Sequence, residues 1–165
     1  SLICDPMASF IRFSVSFFYV QLIFPVKSPS DIYVFRLKPH ADLKTSIMAW
    51  ASEHRIKAGI ILTCVGSLEQ YSLRFANQQQ PTQSSGHFEI VSLAGTFSDS
   101  KVHLHLCISD TNGNTLGGNL MDGCRIYTTA EIAVAELTEL EFYRKVDTTY
   151  GYGELDVKRR GKTES

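Results

Sequence analysis

VHLHLCIS, Val102 to Ser109, is the stretch whose reading decides the fold. Successive side chains of a β-strand point to opposite faces. Read that way, Val102, Leu104, Leu106 and Ile108 share an apolar face, while His103, His105 and Cys107 share the other. Such strict alternation is the mark of a strand buried on one side only. The segment therefore predicts a sheet with its core under one face and two imidazoles on the opposite one.

Working outward, HFEIVSLAGTF (His87 to Phe97) reads as the preceding strand, joined to Val102 by a short polar turn. Downstream, Asn112-Gly113 marks a hairpin, because both residue types tolerate positive φ. Gly117 and Gly118 are expected to open an irregular segment that ends near Gly123. IYTTAEIAVAEL (Ile126 to Leu137) is tilted to strand by its Thr, Ile and Val content. Earlier in the chain, IILTCVGSL (Ile60 to Leu68) and YSLRFA (Tyr71 to Ala76) read as successive strands. NQQQPTQSSG (Asn77 to Gly86) reads as a loop, and Ile32 to Leu37 as a short strand. One helix stands out. Asp42 can cap it by accepting from early backbone N–H groups. Leu43, Ile47, Trp50, Ala51 and His54 then form a stripe at helical spacing. His54, Arg55 and Lys57 suit its C-terminal end, with Gly59 as the stop. Many strands and one helix predict an α+β fold, a mainly antiparallel β-sheet with one clear helix.

Composition bounds the function. The 165 residues are 44% apolar and 11% aromatic, enough for one domain with a real core. The 16 Lys+Arg against 17 Asp+Glu leave a net charge of -1, without the positive excess that phosphate-backbone binding uses. Any DNA contact is then indirect, weak or local to a patch. Four cysteines (Cys4, Cys64, Cys107, Cys124) show no C-x-x-C spacing and read as free thiols of a reducing compartment. With no N-x-[ST] sequon, this predicts an intracellular protein, cytoplasmic or nuclear.

Three parts are expected: an apolar appendage and linker over 1–31, the main domain over 32–157, and a basic tail over 158–165. The apolar run Phe13 to Phe24 is too short to cross a bilayer as a helix, and no membrane role is expected for the main domain. A signal peptide and an added strand are alternative readings of that run.

His103 and His105 lie two residues apart on one strand, roughly 6.5 to 7 Å at Cα, so both imidazoles can approach one metal. A polar face with two hydrogen-bonded histidines is the competing reading. Glu89, in an apolar strand, calls for a partner, and Arg74 is the candidate. The chain has no G-x-S-x-G elbow, P-loop, G-x-G-x-x-G or H-E-x-x-H. The short run Lys158, Arg159, Arg160 and Lys162 reads either as a solvated tail or as a contact for DNA phosphate or for nuclear import.

Taken together, FRLKPHADL (Phe35 to Leu43), AGIILTCVGSL (Ala58 to Leu68), LRFA (Leu73 to Ala76), GHFEIVSLAGTF (Gly86 to Phe97), HLHLCISDTNGNTLGGNL (His103 to Leu120) and YTTAEI (Tyr127 to Ile132) resemble the PPC domain, plants and prokaryotes conserved, or domain of unknown function 296. The resemblance spans about Ile32 to Val157. It implies a β-sheet sandwich around a mainly antiparallel sheet, assembled as a homotrimer. Plant relatives carry AT-hook segments and act as nuclear DNA-binding regulators, with a hexapeptide beginning G-R-F-E that contacts other proteins. Here that stretch is Gly86, His87, Phe88, Glu89, Ile90 and Val91, with His in place of Arg. No R-G-R-P-like AT-hook core occurs in this chain. Many prokaryotic relatives have a further His after the glycine pair, where this chain has Asn119, a poor zinc ligand. The expectation is a trimeric, non-enzymatic PPC-domain binding protein, DNA-associated or protein-interacting, without an AT-hook or cofactor of its own. The alternative is a metal-dependent or small-molecule-binding enzyme using His103, His105 and Asn119, with zinc as its metal.

Overall fold

The computed structural model describes residues 25–161. The apolar run from Phe13, Cys4 and Lys162 lie outside the described residues. Nine elements follow in order: β1 (Ser30–Leu37), α1 (Leu43–Glu53), β2 (Gly59–Arg74), β3 (Thr82–Phe97), β4 (Val102–Ser109), β5 (Thr115–Leu120), β6 (Arg125–Leu137), β7 (Leu140–Val146) and β8 (Gly153–Arg159). Six of the strands form one sheet in the order β1-β6-β2-β3-β4-β5, and β7 and β8 form a separate hairpin. Every pairing is antiparallel. The fold is α+β as expected, mostly antiparallel sheet with a single helix among the described residues.

The sheet curls because β5 turns back to pair with the end of β2, placing Leu73 opposite Leu120 and Arg74 opposite Asn119. Gly118 permits that closure, since a Cβ there would sit 2.8 Å from the Arg74 carbonyl oxygen. The Gly117-Gly118 pair is thus inside a regular strand, not the start of the irregular segment anticipated from sequence.

Helix α1 lies over the enclosed face. Asp42 caps it through a 2.8 Å bond from Thr45 N–H, and its second oxygen accepts from Gly123 N–H at 2.6 Å. One carboxylate therefore starts the helix and ties it to the turn before β6. Leu43, Ile47 and Ala51 are fully buried. Trp50 stacks on Phe35 with ring centroids 4.9 Å apart and meets Tyr33 edge-on at 5.2 Å. They pack with Phe97, Leu104, Leu106, Ile108, Ile126, Ile132 and Val134 in one core.

Three element boundaries differ from expectation. The helix ends at Glu53, with His54 as its cap and Arg55 in the left-handed region at φ 54°. Gly59 opens β2 and does not stop the helix. Two strands expected within Ile60 to Ala76 are one 16-residue strand, β2, bent by a register shift between Leu68 and Gln70. The expected loop from Asn77 to Gly86 is shorter, because Thr82 to Gly86 already belongs to β3 and pairs with β2. Polar side chains concealed that strand; its backbone ladder does not depend on them.

Candidate functional site

Strand β4 behaves as its alternation predicts. Leu104, Leu106 and Ile108 are buried, while His103 and His105 are exposed on the opposite face. The two rings meet edge to face with centroids 5.0 Å apart. Pairing with β3 places Thr96 beside His103 and Ala94 beside His105; pairing with β5 places Asn119 beside His105. The close β3–β4 approach requires Gly95, at φ +137°, where a Cβ would lie 2.1 Å from the His103 carbonyl oxygen.

The β7-β8 hairpin folds over one end of this face, and sequence reasoning missed it. Arg144 donates to the Thr96 hydroxyl at 2.7 Å. A cleft of about 760 Å³ results, lined by Arg74, Lys101, His103, Asn119, Arg144 and Glu154 among others. A smaller cleft of about 340 Å³ adjoins it and is lined by Arg74, His105, Cys107 and Asn119. The only available signal for the hairpin was the alternation in LEFYRKV and GELDVKR, blurred by charges on both faces. Burial lowers the His103 pKa, with the Arg144 and His105 charges acting the same way; Glu154 and the Asn119 side chain partly oppose them. His103 is thus held toward the neutral form.

Neutral imidazoles can ligate a metal, but the set stops at two. Among the described residues no group of three His, Cys, Asp or Glu side chains converges as a metal site. Asn119 supplies an amide where zinc prefers nitrogen, sulfur or carboxylate, so the donor set does not fit a closed zinc site. Cys64 and Cys124 are core residues; burial pushes their thiols up to about 12 and about 11.

The hexapeptide lies in β3. Phe88 turns inward to meet Tyr71 edge-on at 5.0 Å, and Ile90 is in the core. His87 lies 4.6 Å from the Tyr127 ring, and Glu89 and Val91 are exposed. The anticipated Glu89–Arg74 pair does not form. Glu89 faces solvent opposite Ser67, and Arg74 donates to the Gln78 carbonyl at 3.2 Å. Lys158 and Arg159 end β8, so the fold runs past Val157. Arg159 pairs with Glu139 at 3.2 Å, Arg160 with Glu136, and Lys158 lies 4.5 Å over the Tyr143 ring.

Beyond the clefts, the outer face of the sheet exposes large apolar side chains among polar ones such as Thr63 and Glu131. Val34 (76%), Ile32 (64%), Val65 (55%), Val91 (54%) and Leu62 (48%) are all well exposed. Pairing sets Val34 opposite Ala133 and Val65 opposite Glu131, so Val34 on β1 and Val65 on β2 share one face of the sheet on either side of β6.

The described residues form a curled antiparallel sheet over one helix, with a histidine-bearing cleft on its outer face, and no described helix is long and apolar enough to cross a membrane. The chain belongs to the Plants and Prokaryotes Conserved (PCC) domain family, whose model matches residues 25–138. It is similar to the bifunctional protein GlmU of a Synechococcus strain, 42% identical over 128 residues, covering 78% of this chain and 21% of that protein. The chain thus spans about a fifth of the length of the curated relatives it matches. A crystal structure of a hypothetical protein from Salmonella has 37% identity and a TM-score of 0.80, covering 82% of this chain and 98% of that one. A Bacteroides thetaiotaomicron structure with a provisional DNA-binding designation has 22% identity and a TM-score of 0.66, covering 79% and 98%, and shows the shared fold.

Proposed function

We propose that this chain is a homotrimeric binding module that acts in association with DNA-bound or other protein partners and carries no AT-hook or catalytic centre of its own. The observation that carries this reading is the outer sheet face, where Ile32, Val34, Leu62 and Val65 stand exposed together. Contiguous exposed apolar surface rimmed by polar residues marks a protein contact, and closed symmetric assembly is the commonest way to cover one. The DNA association comes from the family and from the designation of the Bacteroides relative. The basic segment supports only an indirect contact, because Arg159 and Arg160 are already paired with Glu139 and Glu136. Light scattering on the full chain tests the assembly. Three copies are expected for the wild type and one for Val65→Lys. A wild-type monomer, or a trimer unaffected by Val65→Lys and Val34→Lys together, would overturn the reading.

A second reading, a metal-dependent or small-molecule-binding enzyme at His103, His105 and Asn119, draws support from the 5.0 Å ring pair at a cleft. Stoichiometric zinc in tag-free protein that disappears on His103→Ala would favour it. Zinc absent from protein purified without chelators would end its metal-dependent form.

A further inference from the structure

We propose that the cleft between β4, β5 and the β7-β8 hairpin is a binding site for a small organic phosphate, held by Arg144, Lys101 and Arg74. This does not rest on the trimer. The cleft is concave and about 760 Å³, within the size range of small-molecule sites. Its lining contains Lys44, Arg74, Lys101 and Arg144 against a single carboxylate, Glu154. Lys44 is committed to Asp122 at 2.9 Å. Among the described residues, Arg74, Lys101 and Arg144 have no carboxylate within 4.0 Å.

Arg144 is the strongest of these signals. Its guanidinium is half-buried, and its side-chain hydrogen bond goes to a neutral hydroxyl, that of Thr96. Burial lowers its pKa, only partly offset by Glu154. A partly desolvated cation whose cleft-lining counter-charge, Glu154, lies beyond 4.0 Å gains from a closer anion. Guanidinium forks match the oxygens of phosphate, and three cations against the one carboxylate of Glu154 leave a positive excess that suits a dianion better than a monocarboxylate. His103 and Asn119 add hydrogen-bonding groups, while Met121, Val146 and Tyr152 give the same cleft an apolar and aromatic side. That side fits the organic part of a phosphate ester. A duplex would need its cations along an open surface that follows the phosphate backbone; these line a concavity.

The test titrates the full chain with inorganic phosphate at constant ionic strength, following the His103 imidazole by NMR. A saturable shift is expected, together with a rise in the His103 pKa as the anion offsets Arg144 and His105. Lys101→Gln and Arg144→Gln should each weaken binding by about tenfold or more, while Lys101→Arg retains it. Lys101 is exposed and makes no side-chain bond among the described residues, so Lys101→Gln stays informative even if Arg144→Gln misfolds. The absence of a saturable shift, or equal affinity in wild type and Lys101→Gln, would overturn the proposal. So would a His103 response to duplex DNA and none to phosphate.

Discussion

The two sides of strand β4 are built from adjacent residues and obey different rules. On the inner side, Leu104, Leu106 and Ile108 are sealed against the core. On the outer side, His103 and His105 are exposed beside a cleft, and farther across the sheet the same outer side becomes apolar around Val34 and Val65. The inner side can be explained by this chain alone. In the reading proposed above, another copy would cover its apolar part and a ligand would fill its cleft. Stability and function are thus separated across the thickness of one sheet.

Mutations should break that contrast unequally. Leu106→Ala removes a fully buried side chain and should cost about 2 to 5 kcal/mol in denaturant unfolding. Next comes Gly95→Ala, which puts a Cβ 2.1 Å from the His103 carbonyl oxygen at a left-handed φ. Roughly 1 to 3 kcal/mol is expected, with the His103 resonance displaced because the strand must shift. Asp42→Ala loses both the helix cap and the tie to Gly123. About 1 to 2 kcal/mol is expected, with the helix end fraying first in hydrogen exchange. On the outer side, His105→Ala should change monomer stability by no more than about 0.5 kcal/mol. A loss comparable to Leu106→Ala would mean that the two faces are not energetically distinct.

The pH dependence sharpens the comparison further. His103 has a pKa below the ordinary imidazole value of 6.5 in the folded chain. The unfolded chain then binds the proton more readily. Stability linked to this group is therefore full above the unfolded pKa and is lost as pH falls through 6.5 toward the folded value. A His103→Gln variant should flatten that part of the stability profile.

How far the sequence went follows the same division. The alternation in Val102 to Ser109 and the cap at Asp42 were legible because each is a local pattern with a local cause. The inner core was legible too, since buried apolar residues repeat at the period of their element. The continuity of β2 was not, because a register shift interrupts the periodicity without ending the strand. Gly117-Gly118 looked irregular because the reason for Gly118, the nearby Arg74 carbonyl, comes from a strand more than forty residues earlier. Arg144 drew no notice since nothing local distinguishes it; only the fold of β7 over β4 brings it to Thr96. Glu89 seemed to need a partner because its strand is apolar in sequence, but its own face of that strand is exposed.

Hydroxyl-radical footprinting of the wild-type chain against Val65→Lys is the most direct test of whether copies of this chain cover the apolar outer surface. Ile32 and Val34 should be protected in the wild type and become labelled in the variant, while His103 and His105 react equally in both. Equal labelling of Ile32 and Val34 in the two proteins would contradict the account.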